Sequence, residues 1–138
     1  LPGKNDVTKA MILSGIMWIT IYFIPFLKYP ANPPTVGENE TVVLRTFLYL
    51  LLIAISGISA LGFYKLSTRL QNNKKYFALL GYIIFIAVIF FVMPENPDVI
   101  TAPMNLVNEF RLVSVLGVSS FWGSVGIILG LFWKKFNY

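Results

Sequence analysis

Four blocks of apolar residues divide this chain, and in none of them do polar positions recur at the spacing of a helix with one wet face. The blocks cover roughly residues 10–27, 46–66, 76–93 and 112–133. A helix that crosses about 30 Å of hydrocarbon needs about 20 apolar residues, and each block approaches or meets that length. A soluble core helix as long would carry a polar stripe. Asp, Glu, Lys and Arg are absent from the middles of all four blocks. The polar residues inside are Ser, Thr and Tyr, and Ser and Thr hydroxyls can bond back to their own helix's carbonyls. The pattern predicts an all-α integral membrane protein with four transmembrane helices in one domain.

The connections after the first and third blocks share a motif. "YPANPPTV" begins at Tyr29 and "MPENPDVI" at Met93, and both contain Pro-x-Asn-Pro. Proline fixes φ, lacks an N–H and biases the preceding residue away from helix, so each motif stops a helix sharply and stiffens the loop beyond it. Pro25, Pro30, Pro33, Pro34, Pro94, Pro97 and Pro103 are assigned to these two loops, leaving only Pro2 elsewhere. Further on, Arg45 and Arg111 each open the next block, with Glu40 and Glu109 just upstream. The layout suggests two helix–loop–helix units, 10–66 and 76–133, related by an axis along the membrane normal, against the plainer reading that Pro and Asn are common in any turn. It also predicts that the two loops form one rigid cap. Arg45 and Arg111 either snorkel to lipid headgroups or clamp the cap by pairing with Glu40, Glu109 or an acid of the other loop. The clamp, with Arg45, Arg111 and Glu109, is the expected arrangement.

Composition supports the membrane reading. Of 138 residues 57% are hydrophobic and 12% charged, about half the charge of an ordinary soluble domain; mean hydropathy is +0.72. The net charge of +5 is unevenly placed. Lys4, Lys9, Lys65, Arg69, Lys74, Lys75, Lys134 and Lys135 fall on one side of the membrane with Asp6. Lys28, Arg45 and Arg111 fall on the other with Glu38, Glu40, Glu95, Asp98 and Glu109. An excess of Lys and Arg marks the cytoplasmic flank. Both termini are therefore expected in the cytoplasm and the proline loops outside, in the cell (plasma) membrane. The basic rim is expected to meet anionic lipid heads, not nucleic acid.

The chemistry available is narrow. The chain has no Cys and no His, which removes disulfides, thiolate and imidazole metal sites and the commonest general base. No catalytic constellation and no cofactor motif is present, so the chain is not expected to be an enzyme by itself. Glu95, Asp98 and Glu40, with Glu38 nearby, are candidates for a hard-cation site in the outer loops, although scattered loop acids are ordinarily just solvated. Met93 and Met104 share the outer side as soft candidates, against the ordinary role of Met in packing. Small residues mark helix contacts: Ser56, Gly57 and Ala60 in the second block, Gly117, Gly123, Gly126 and Gly130 in the fourth. Such residues let helices approach closely, and these two blocks are expected to pack on each other or on a partner subunit. Trp18 and Trp122 are expected to fill space between helices, with their indole N–H groups on Thr or Ser.

The stretches "IPFLKYPANPPTV" and "MPENPDVITAPMNLVNEFRLVSVLGVSSFWGSVGIILGLFW", each loop followed by an Arg-started span, resemble the CbtA-type membrane family of probable cobalt transporter subunits. The closing pattern falls on Phe110, Ser114, Phe121, Trp122, Gly126 and Gly130. The resemblance runs from about Trp18 onward and implies a multi-pass subunit of a metal-ion transporter. It also implies five spans, one of them ahead of those found here, in keeping with a start at Leu1 rather than Met. Family members often carry His after the proline of the second loop, where this chain has Glu95. The residues taken by themselves, with no His and no charge inside the spans, favour a second reading. That is a non-catalytic accessory subunit of a larger integral membrane complex, such as a membrane oxidoreductase.

Overall fold

A computed structural model of the chain describes residues 3–34, 36–37 and 39–136. All of its regular structure is helical, and four helices are long and apolar enough to cross a membrane: Asp6–Lys28, Asn39–Arg69, Asn72–Val92 and Met104–Phe136. All four begin several residues ahead of their apolar blocks. The flanking Arg and Lys residues are good helix formers and lie where a helix leaves hydrocarbon for headgroups, so charge does not stop the helix there. The fourth span, 33 residues, is about 50 Å long at 1.5 Å per residue.

Local signals set the ends. Asn5 caps the first span, its Oδ1 accepting from the Thr8 N–H at 2.7 Å. At the other end the Tyr29 N–H makes the last helical bond, to the Pro25 carbonyl at 2.8 Å, before Pro30. The third span closes the same way, Met93 N–H to the Ile89 carbonyl at 2.9 Å, before Pro94. Both pre-proline residues leave the helical region, as proline requires. Pro25, expected in a loop, instead lies within the helical segment Ile24–Lys28.

The first span is not a uniform α-helix. Asp6–Met17 is α-helical, Trp18–Phe23 is π-helical, and Ile24–Lys28 returns to α. The spans associate as two pairs, first with fourth and second with third; residues 18–28 of the first span join the pairs by packing on the second. The second and fourth spans, expected to share small-residue faces, each meet the first instead. Ser56 is fully buried against the first span. Gly126 and Gly130 lie under Met11, Ser14 and Val7. A Cβ at Gly130 would come 2.7 Å from the Val7 Cα, a backbone atom that cannot yield, whereas Gly117 and Gly123 have nothing within 4 Å. In the other pair, Gly81 receives the ring of Phe63.

A small buried cluster, Ile24, Tyr29, Leu48, Leu52 and Met93, sits toward the loop end. Most other large apolar side chains point outward, Phe91 at 83% and Ile58 at 70% exposure among them. An apolar exterior of this kind suits lipid. Overpacking a close helix contact costs about 1–3 kcal/mol. Gly130→Leu is expected to lower the thermal unfolding midpoint in detergent accordingly, and Gly117→Leu to leave it nearly unchanged.

Candidate functional site

The two proline loops meet at the same end of the helices, and one carboxylate organises them. The Asp98 side chain has no solvent exposure, and Arg45 at the start of the second span forms an ion pair with its Oδ2. Asn32 Nδ2 donates to the same oxygen at 2.9 Å, and Thr41 Oγ1 donates to Oδ1 at 2.7 Å. The Asp98 N–H bonds Asn96 Oδ1 at 3.0 Å, so the second motif's asparagine shapes the turn that presents the acid. Gly37 adopts φ +100° beside it, and a Cβ there would stand 3.0 Å from the carboxylate. Glycine alone accepts both that backbone and that proximity.

Asn32 faces both ways. While its amide nitrogen holds Asp98, its Oδ1 accepts from Arg111 Nη2 at 3.0 Å, and Arg111 Nε donates to the Ala31 carbonyl at 3.1 Å. Each arginine thus reaches the loop farther from it in sequence, Arg45 to Asp98 and Arg111 to the first Pro-x-Asn-Pro. Tyr29 adds a third tie, its hydroxyl donating to the Pro94 carbonyl at 2.6 Å. Burial raises the pKa of that hydroxyl above the ordinary tyrosine value.

Among the described residues, Glu40 and Glu109 make no ion pair with either arginine. A carboxylate already fixed between the loops supplies the better partner. Glu40, Glu95 and Glu109 are exposed, and Glu38 lies outside the described residues. Of the three acids proposed for an outer cation site, Asp98 is thus taken up by Arg45, Asn32 and Thr41, while Glu40 and Glu95 face solvent. Among the described residues, no three acidic side chains converge on one point. Met93 is buried in the apolar cluster and Met104 is exposed. Beneath the first loop lies a cavity of about 440 Å³ whose lining includes Asn32, Asn39, Arg45 and Tyr49.

Deeper, the π-helical stretch leaves main-chain oxygens for side chains to satisfy. The Ile24 N–H turns back to the Ile19 carbonyl, and Pro25 has no N–H to give. The Thr20 carbonyl therefore has no donor from residue 24 or 25, and Ser56 Oγ supplies one at 2.9 Å while also reaching its own helix's Ile53 carbonyl at 3.1 Å. The Ile21 carbonyl loses the donor that residue 25 would give, and Tyr49 Oη approaches it at 3.5 Å. From the third span, Tyr82 Oη donates to the Ser56 carbonyl at 3.1 Å. In the other pair, Ser14 Oγ donates to the Trp122 carbonyl. Trp18 Nε1, expected to find Thr or Ser, is buried without a partner among the described residues. The charge pattern of the sequence does not mark this junction; its one visible signal is Pro25 inside an apolar run, three residues before the helix ends at Lys28.

Four apolar spans in antiparallel succession define a multi-pass helical membrane protein. The chain belongs to the family described as "Probable cobalt transporter subunit (CbtA)", whose pattern matches residues 1–134 of the 138. The match takes in the first seventeen residues as well as the loops and closing helix that carried the resemblance. Comparison with curated proteins and with solved structures returned no match. The family assignment carries the transporter-subunit reading and gives no support to an accessory subunit of an oxidoreductase.

Removing one partner of a buried ion pair leaves a dry, uncompensated charge and costs about 3–5 kcal/mol. Arg45→Met, which leaves the Asp98 carboxylate buried without its cation, is expected to destabilise the protein by that order, and Glu109→Gln by less than about 0.5 kcal/mol. Thermal unfolding in detergent micelles with a common reference lipid measures both.

Proposed function

We propose that this chain is a plasma-membrane subunit of a cobalt uptake system, with the proline loops outside the cell and both termini in the cytosol. The observation that carries this reading is the family match over residues 1–134. Four membrane-compatible spans support it. Orientation rests on the charges: eight basic residues sit at the end holding the termini and the 69–75 loop, against three at the loop end. Exposed Glu40, Glu95 and Glu109 give the loop end a negative field that raises the local concentration of a divalent cation. Asp98 serves the cap rather than the ion. A subunit implies other integral membrane subunits, and these complete the transporter.

The pairing of spans also supports the two-unit reading. A two-fold axis along the membrane normal exchanges first with third and second with fourth, so it carries the first–fourth pair onto the third–second pair. It likewise exchanges Arg45 reaching loop two with Arg111 reaching loop one.

Radioactive cobalt uptake by cells lacking the native gene tests the role. The intact chain with its native partners restores uptake, and Glu40→Gln with Glu95→Gln lowers it several-fold at scarce cobalt and much less at saturating cobalt. Uptake that is indifferent to the chain removes the proposal. Orientation is tested separately, since the chain has no Cys of its own. A membrane-impermeant maleimide on intact cells is expected to label Glu95→Cys and spare Asn73→Cys.

A further inference from the structure

We propose that the turn joining the second and third spans, at the end opposite the proline loops, is a docking site for the phosphate headgroup of an anionic phospholipid. Arg69 and Lys74 hold the phosphate, and Phe77 meets the apolar part of the lipid. The inference stands apart from the transport reading and concerns the end that carries most of the chain's positive charge.

Charge at this turn is not balanced from within the described chain. Lys65, Arg69, Lys74 and Lys75 fall close together, and no Asp or Glu stands between Glu40 and Glu95. Asp6, the acid on this side, is already paired with Lys9 at 3.3 Å. Among the described residues none of the four cations makes an ion pair, and all four are exposed. Lys65 and Arg69 stand one turn apart on a single helix, the spacing at which like charges repel. The third span then begins with no side-chain cap, so its positive dipole end adds to the same field. An anion placed here relieves each of these repulsions.

Shape and setting select a lipid. The turn borders a cavity of about 510 Å³ whose lining includes Arg69, Lys74, the amide side chains of Gln71, Asn72 and Asn73, and Phe77. No acid lines it. The amides can therefore donate to phosphate oxygens, and the Arg69 guanidinium offers them its planar fork. Phe77 is 69% exposed on the first turn of the third span, and Tyr64 and Tyr76 are exposed to either side of the turn. Tyrosines at the ends of spans mark the membrane interface, which sets the cations level with headgroups and Phe77 against acyl chains. A soluble phosphate leaves the apolar wall wet, whereas a lipid covers both parts. Basic pockets between transmembrane helices take anionic headgroups on this principle. Bound here, the phosphate draws together two helix ends whose charges otherwise push apart.

Native mass spectrometry of the full chain, released from neutral detergent micelles, tests the site. The chain is titrated with dioleoylphosphatidylglycerol, and with dioleoylphosphatidylcholine as the neutral control. Ammonium acetate near physiological ionic strength screens charges more than about 8 Å apart, so that a local site is separated from net charge. The expected result is saturable binding of a first phosphatidylglycerol, with phosphatidylcholine weaker by about tenfold or more. Arg69→Gln with Lys74→Gln is expected to weaken phosphatidylglycerol by about tenfold or more and to leave phosphatidylcholine unchanged. Lys134→Gln with Lys135→Gln removes the same charge from the same end and is expected to change binding by less than about twofold. Equal affinity for the two lipids overturns the proposal. So do equal effects of the two double variants, large or absent, which leave only diffuse attraction to the basic end. Displacement of the first lipid by millimolar inorganic phosphate assigns the site to a soluble anion and overturns the lipid as its occupant.

Discussion

A carboxylate removed from water is stable only if enough donors surround it, and Asp98 is the point where that requirement shapes this protein. Dehydrating a charge of that size costs several kcal/mol even after relaxation. Arg45, Asn32 and Thr41 offset the cost, and all three come from the first half of the chain. Asn32 then passes the constraint on to Arg111 at the top of the fourth span. One buried acid therefore fixes the first loop, the second loop and the entries of two spans. Elsewhere the two helix pairs are joined through residues 18–28 of the first span against the second. Without the tie at Asp98, the loop end would rest on Tyr29, the Arg111 bonds to the first loop and the small cluster around Leu52.

The same requirement, applied to uncharged groups, governs the interior of the spans. Lipid offers no hydrogen bonds, so each carbonyl that a proline or a π-helical turn releases needs a protein donor. Ser56 answers for Thr20 and Tyr49 approaches Ile21; in the other pair Ser14 adds a bond to the Trp122 carbonyl of a regular helix. These hydroxyls hold helices together across faces that are otherwise apolar or glycine-lined. The arrangement concentrates main-chain polarity at one depth of one interface, next to a cavity that opens toward the loops.

How far the sequence disclosed the structure depends on the range of the forces involved. Four spans were legible because apolar length is a local property of the chain. The helix stops at Tyr29 and Met93 were legible because the following proline acts on its immediate neighbour. That Arg45 and Arg111 have work beyond lipid contact was also readable, but the identity of their partners was not. Asp98 lies 53 positions from Arg45, and nothing local distinguishes it from Glu40, beside Arg45 in sequence, or Glu109, beside Arg111, both of which remain exposed. The helix pairs were hidden for the same reason: Gly117 and Gly126 look alike in sequence, and only the approach of Val7, Met11 and Ser14 separates them. The π-helical stretch was masked by ordinary apolar residues, with Pro25 read as belonging to the loop.

A double-mutant cycle on Arg45 and Asp98 examines the central tie most directly, because it isolates the pair from whatever each side chain does alone. Unfolding free energies of the intact chain, Arg45→Met, Asp98→Asn and the double variant would be compared in one lipid environment. A coupling of about 2 kcal/mol or more is predicted, with the double variant more stable than the sum of the single losses implies. Strictly additive losses, within about 0.5 kcal/mol, would contradict it and leave the loops held by something other than this buried charge.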